Sequence, residues 1–182
     1  MFRALRSDSI TLHLITEDNF EEVCALFHGF PDSSELLDEI RANYVPRLEE
    51  GRRMRYSFYA TLEDELAGVT LLEVDRGDTL TASTGADVLL HMRGKGIAPR
   101  SKPHLFYLAF ELLGLNRVET GCFISNLASK KSIEKTAGFA FEGTSRQSGR
   151  NDEGQLEDEH FYAILKQDWQ VLYDKSRVEV LD

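Results

Sequence analysis

The apolar residues change period across six positions, Arg93-Gly94-Lys95-Gly96-Ile97-Ala98. Upstream, residues 80–90 alternate as a strand does. Downstream, Leu105, Phe106, Leu108, Ala109, Phe110, Leu112 and Leu113 make a helix that is apolar on most of its circumference, with Gly114 placed to stop it. Such a helix has to be largely buried. A strand that ends in two glycines and opens a buried helix commits the chain to a layered α/β arrangement.

The flanking segments predict a mixed sheet. Ile10, Leu12 and Leu14 alternate with Thr11, His13 and Ile15 and read as a strand, followed by a helix over 17–27. Pro31-Asp32-Ser33-Ser34 is a turn, after which an acidic amphipathic helix runs to about residue 50 and meets Pro46. Residues 55–61, 65–74 and 80–90 read as an antiparallel meander joined at Glu63-Asp64 and at Asp75-Arg76-Gly77-Asp78. Beyond the apolar helix come a strand over 116–124, a short helix capped by Ser125-Asn126 and ending near Gly138, and a hairpin of 139–146 with 156–165 around Asn151-Asp152-Glu153-Gly154.

Composition narrows the function. The 182 residues are one domain's worth, with 42% hydrophobic and 29% charged residues, as in soluble globular proteins. No apolar run approaches the ~20 residues of a membrane-spanning helix. The N-terminus has no secretory h-region and only Cys24 and Cys122 are present, so the cytoplasm is the expected compartment. A net charge of −10 disfavours nucleic acid and favours a cationic partner such as an amine. Cys24 and His28 lie one helical turn apart without a second ligand pair, so no metal is expected. No Gly-x-Ser-x-Gly elbow exists for a nucleophilic serine. His91, just before the hinge, is a base candidate or a surface histidine.

Unpaired N–H groups at a helix start, reached over glycines and flanked by Arg93 and Lys95, form an anion site. A Walker loop is absent, and a dinucleotide fingerprint fails because Pro99 stands where its third glycine should be.

Arg93-Gly94-Lys95-Gly96-Ile97-Ala98 resembles the Arg/Gln-x-x-Gly-x-Gly/Ala motif of the GNAT superfamily of acyl-CoA-dependent N-acyltransferases. "LAFELLGLNRVE" (108–119), "SNLASKKSIEKTAGFAFEG" (125–143) and "DEHFYAIL" are similar, in order, to the branch typified by the ribosomal-protein N-acetyltransferases RimJ and RimL. Two positions depart from it. Thr136 and Ala137 both stand where relatives have one residue, and Pro103 falls in the second turn of the helix, so either the first turn is distorted or the regular helix begins near Pro103.

The resemblance implies one α/β domain over 1–182, with a mixed, mostly antiparallel twisted sheet of about seven strands and four to five helices. It also implies acetyl transfer from acetyl-CoA to a primary amine, on a protein N-terminus or on a small amine such as a polyamine or aminoglycoside, with a homodimer allowed. By the same resemblance Arg93, Gly94, Lys95, Gly96, Ile97 and Ala98 hold the pyrophosphate. Backbone groups of Val88, Leu89 and Leu90, together with Asn126, take the pantetheine arm. Ser129 is the candidate general acid, against a simple capping role. Where relatives carry a hairpin glutamate the sequence reads Ser148-Gly149-Arg150, which leaves Asp158, Glu142 or a water relay as base. Glu35, Asp38 and Glu39 on the acidic helix would attract a cationic acceptor. A catalytically silent CoA-binding sensor or scaffold is the alternative.

Overall fold

The computed structural model describes residues 2–28, 30, 53–75, 79–151 and 153–182. The acidic segment bearing Glu35, Asp38 and Glu39 lies outside them. Described residues form strands β1 (Ala4–Ser7), β2 (Ile10–Leu14), β3 (Arg53–Leu62), β4 (Glu65–Asp75), β5 (Thr81–Val88), β6 (Arg117–Phe123), β7 (Ala140–Arg150), β8 (Leu156–Leu165) and β9 (Glu179–Leu181). They also form helices α1 (Phe20–Phe27), α2 (Ile97–Tyr107), α3 (Leu127–Lys135) and α4 (Lys166–Leu172). One open sheet runs in the order β7-β8-β6-β5-β4-β3-β2-β1-β9. Every pair is antiparallel except β5 with β6. A parallel pair needs a crossover, and α2 provides it.

The sheet is α/β and mostly antiparallel as the resemblance implied, with two strands more than the seven expected. β1 and β9 hold four and three residues, too few to show alternation, and they form because β1 lies between β2 and β9 as a template for both. α4 was also unforeseen; it exists because Trp169 packs at 2% exposure against the Phe110 ring, 5.5 Å between centroids.

α2 is the central element of the core. Ile97, Leu105, Phe106, Leu108, Ala109 and Phe110, in α2 and the turn that follows, are each 0–3% exposed. Burying each of these side chains other than Ala109 contributes about 1.5–3 kcal/mol. Phe106 meets Phe139 and Tyr173 edge-on, at 5.2 and 5.7 Å, and so joins α2 to the chain after α3 and after α4. After Tyr107 the helix widens over Leu108–Leu112, where Leu113 N–H reaches Leu108 O at 2.9 Å, and Gly114 turns the chain at φ +68°.

Of the two possibilities raised for Pro103, the helix does not begin there. α2 starts at Ile97, Arg100 N–H closes the first turn on Gly96 O at 3.1 Å, and the helix continues through Pro103. Burial of Ile97, Leu105 and Phe106 on the same helix outweighs the bond that Pro103 cannot donate. The extra residue at Thr136-Ala137 is absorbed in the cap of α3: Thr136 donates from N–H to Ile133 O and from Oγ1 to Ser132 O, and Ala137 O accepts from the Tyr173 hydroxyl. No helix among the described residues is long and apolar enough to cross a membrane.

His104 is fully buried in α2, with Nδ1 on Ser101 O (3.2 Å) and Nε2 on Ser7 Oγ (2.9 Å). Burial lowers its pKa to about 4 from 6.5. A folded-state pKa below the unfolded one means that its contribution is complete above about pH 6.5 and is lost as pH falls toward 4, a span worth roughly 3 kcal/mol. Urea titrations should show this loss in the wild type, while His104→Gln, which does not titrate, should have a shallower slope of stability against pH and lose roughly 3 kcal/mol less between pH 6.5 and 4. An unchanged slope would place the acid sensitivity in other residues.

Candidate active site

β5 and β6 pair over three residues only, Thr81 with Arg117, Ala82 with Val118 and Ser83 with Glu119. Beyond these, Thr84–Val88 and Thr120–Phe123 have no ladder partner in each other, so the two strands part and leave a slot open at their C-terminal ends. The vertex is tied by side chains. Thr120 Oγ1 donates to Thr84 O at 3.0 Å, and Lys102 Nζ, from α2, donates to Thr84 Oγ1 at 3.0 Å. Because β5 and β6 are parallel, the helices that follow them, α2 and α3, both begin at the open end of this slot.

The hinge forms the β5 side. Val88 ends the ladder opposite Gly68, Leu89 N–H reaches Ala67 O, and a single tight turn over Leu90–Met92 leads to the glycines. Gly94 and Gly96 lie at φ +79° and +75°, which other residues adopt only at a cost. A Cβ on Gly94 would meet nothing within 4 Å, so the space in front is open. Ile97 and Ala98 present first-turn N–H groups, whereas Pro99 has none to offer. The Arg93 guanidinium folds back onto Val88 O at 3.2 Å, and Lys95 Nζ lies 3.2 Å from Met92 Sδ. His91 stacks on Phe30 at 5.0 Å and lies 3.6 Å from Glu65.

On the β6 side Asn126 caps α3, its Oδ1 accepting from Ser129 N–H at 2.9 Å. Asn126 therefore does the capping, and the Ser129 side chain lies near the Cys122 thiol. Burial pushes that thiol's pKa up. Glu157 Oε1, which the sequence did not single out, accepts from Ser125 N–H at 2.6 Å and steadies the loop before α3.

The two carboxylates chosen from the sequence sit apart. Asp158 is at the open end, but its Oδ1 accepts from Gln147 N–H at 2.9 Å in a bulge of β7. Glu142, in the β7 bulge between the partners of Tyr162 and Phe161, is gripped by both terminal nitrogens of Arg117 from the start of β6. That guanidinium lowers the Glu142 pKa.

The sequence reading missed Lys102. It is 5% exposed, and burial, only partly offset by Asp87, brings its pKa down to about 7. The signal was present: Lys102 precedes Leu105, Phe106 and Ala109 by three, four and seven residues, which puts it on the apolar face of α2. A separate groove of about 360 Å³, lined by Pro99, Pro103, Tyr107, Lys135, Trp169 and Tyr173 among others, takes no residue from β5 or β6 and is not the slot. Among the described residues no cluster of metal-ligating side chains occurs.

No family model matches the sequence. Over 126 residues, covering 69% of this chain and 68% of the relative, it is 34% identical to "Probable N-acetyltransferase YjcK" of Bacillus subtilis (strain 168). The fold is similar to a chimera of the spermidine N-acetyltransferase SpeG from Vibrio cholerae and hSSAT, with a TM-score of 0.66, 17% identity and coverage of 90% of this chain and 99% of that one. It is equally similar to Mycobacterium smegmatis RimJ in complex with CoA-disulfide, with a TM-score of 0.66, 19% identity and coverage of 97% and 94%. Together with the parted strands and the glycine hinge, the relative and the shared fold show that this chain belongs to the GNAT N-acetyltransferases and is an acyltransferase.

Proposed function

We propose that residues 1–182 act as one acetyl-CoA-dependent domain of the RimJ/RimL type, transferring acetyl from acetyl-CoA to a primary amine by direct attack and without a metal. The observation that carries this reading is the slot between β5 and β6, with an open glycine hinge on one wall and a non-capping serine on the other. Backbone N–H groups across Arg93, Gly94, Lys95, Gly96, Ile97 and Ala98 receive the pyrophosphate. The backbone of Val88, Leu89 and Leu90 and the amide of Asn126 guide the pantetheine arm into the slot. Ser129 gives its proton to the departing thiolate.

The acceptor is a cytoplasmic amine that arrives as a cation, a protein N-terminus or a small polyamine-like molecule, drawn by a net charge of −10. A homodimer would leave this chemistry unchanged. A binding module without turnover is the second reading, favoured by the engagement of Asp158 with Gln147 and of Glu142 with Arg117. Incubation with acetyl-CoA and an amine panel separates the two: thiol release supports the enzyme, and CoA binding without release supports the module.

Gly96→Glu places bulk and a negative charge at the hinge, and calorimetry should show CoA binding abolished. Gly96→Asn, which tolerates the left-handed conformation, serves as the folded reference and should retain most of it. Equal affinity in a folded Gly96→Glu protein would move the cradle elsewhere. Ser129→Ala should lower kcat by about 10²-fold or more with the CoA Kd unchanged, because a general acid acts on charge that develops in the transition state. An unaltered kcat would return Ser129 to a structural role.

A further inference from the structure

A base for the incoming ammonium has to lie beside the slot, free of a cation and on the side opposite the group that protonates the sulfur. Side chains alternate along β6: Val118, Thr120 and Cys122 are buried on the side of α2 and α3, so Gly121 and Phe123 face the other way. On β8, Phe161 pairs with Gly121 and Glu159 with Phe123, so Glu159 shares that second face. Its carboxylate does not stand over its own partner. It leans across Gly121, where an added Cβ would lie 2.7 Å from Glu159 Oε1 and 3.2 Å from His160 O. Gly121 belongs to the stretch of β6 that has parted from β5.

Ser148, in the hairpin stretch Ser148-Gly149-Arg150, donates through Oγ to Glu159 Oε2 at 3.4 Å. Among the described residues no cation pairs with Glu159, in contrast to Glu142 and Glu119, which Arg117 holds. The carboxylate is partly exposed, so an acceptor can reach it.

We propose that Glu159 is the general base of the reaction, supplied by the neighbouring strand and seated in the space that Gly121 leaves. The inference rests on the direct transfer described above. The ammonium gives one proton to Glu159, which passes it to solvent, and the freed nitrogen forms its bond to the thioester carbon. The carbon–sulfur bond breaks, the nitrogen loses its second proton, and the thiolate takes one up through Ser129. Amine cation and acetyl-CoA thus yield amide, free thiol and one released proton. Acid and base lie on opposite faces of the sheet, with the slot between them.

Thiol release from acetyl-CoA, measured with the best amine of a panel, tests the assignment alongside calorimetry with CoA. Glu159→Gln should lose about 10²–10⁴-fold in kcat with the CoA Kd unchanged, and Glu159→Asp should fall in between. Ser148→Glu in the Glu159→Gln background brings a carboxylate back to the same volume from β7 and should restore at least tenfold of the loss, which a purely structural role for Glu159 would not allow. If Glu159→Gln does not fold, Glu159→Asp at wild-type kcat would overturn the proposal. With the wild type active, a folded Glu159→Gln protein within about threefold of it, or a failed Ser148→Glu rescue, would overturn the base assignment alone. A wild type that binds CoA and releases no thiol with any amine would overturn the transfer reading, and this one with it.

Discussion

The separation of β5 from β6 after three residue pairs is the feature to which the rest of this structure answers. Two strands that part inside a sheet expose backbone groups that cost free energy unless something meets them. Here the vertex is closed by Thr120 on Thr84 O and by Lys102 on Thr84 Oγ1. Above it each strand leads into a helix, β5 through the glycine hinge into α2 and β6 through a short loop into α3. The slot therefore follows from topology and is not a loop accident.

Lys102 shows how much the core gives up for that vertex. A buried ammonium is costly, and its lowered pKa expresses the cost as a readiness to lose its proton near neutrality. An apolar residue on the same face of α2 would pack without that penalty, yet it would leave the Thr84 hydroxyl without the donor it now accepts from. Phe106 and its aromatic neighbours offset the loss one turn further along the helix, tying α2 to the segments that follow α3 and α4. One helix thus carries both the closed vertex of the slot and the centre of the core.

The arrangement of polar side chains around the slot divides by face. Toward α2 and α3, Lys102 is buried against Thr84, Asn126 holds the first turn of α3, and Ser129 lies near Cys122. Away from the helices a carboxylate lies over a glycine, with a serine hydroxyl as its side-chain hydrogen-bond partner among the described residues. A hydroxyl on one side and a carboxylate on the other suit a reaction in which the leaving group and the nucleophile exchange protons with different partners.

The sequence by itself determined the strand–hinge–helix unit, because a switch from period two to a helical period across Gly94 and Gly96 admits few other folds. It also determined the cap at Asn126, which depends on residues three apart. Only the tertiary structure decided β1, β9 and α4, whose short stretches gain order from neighbours distant in the chain. The same holds for the carboxylates. Asp158 and Glu142 stand near the slot's residues in sequence, but their partners Gln147 and Arg117 come from other strands. Glu159 reaches the slot because β8 lies beside β6 in register, with a glycine beneath it. Cross-strand register is set by hydrogen bonds between segments tens of residues apart, and local pattern carries no information about it.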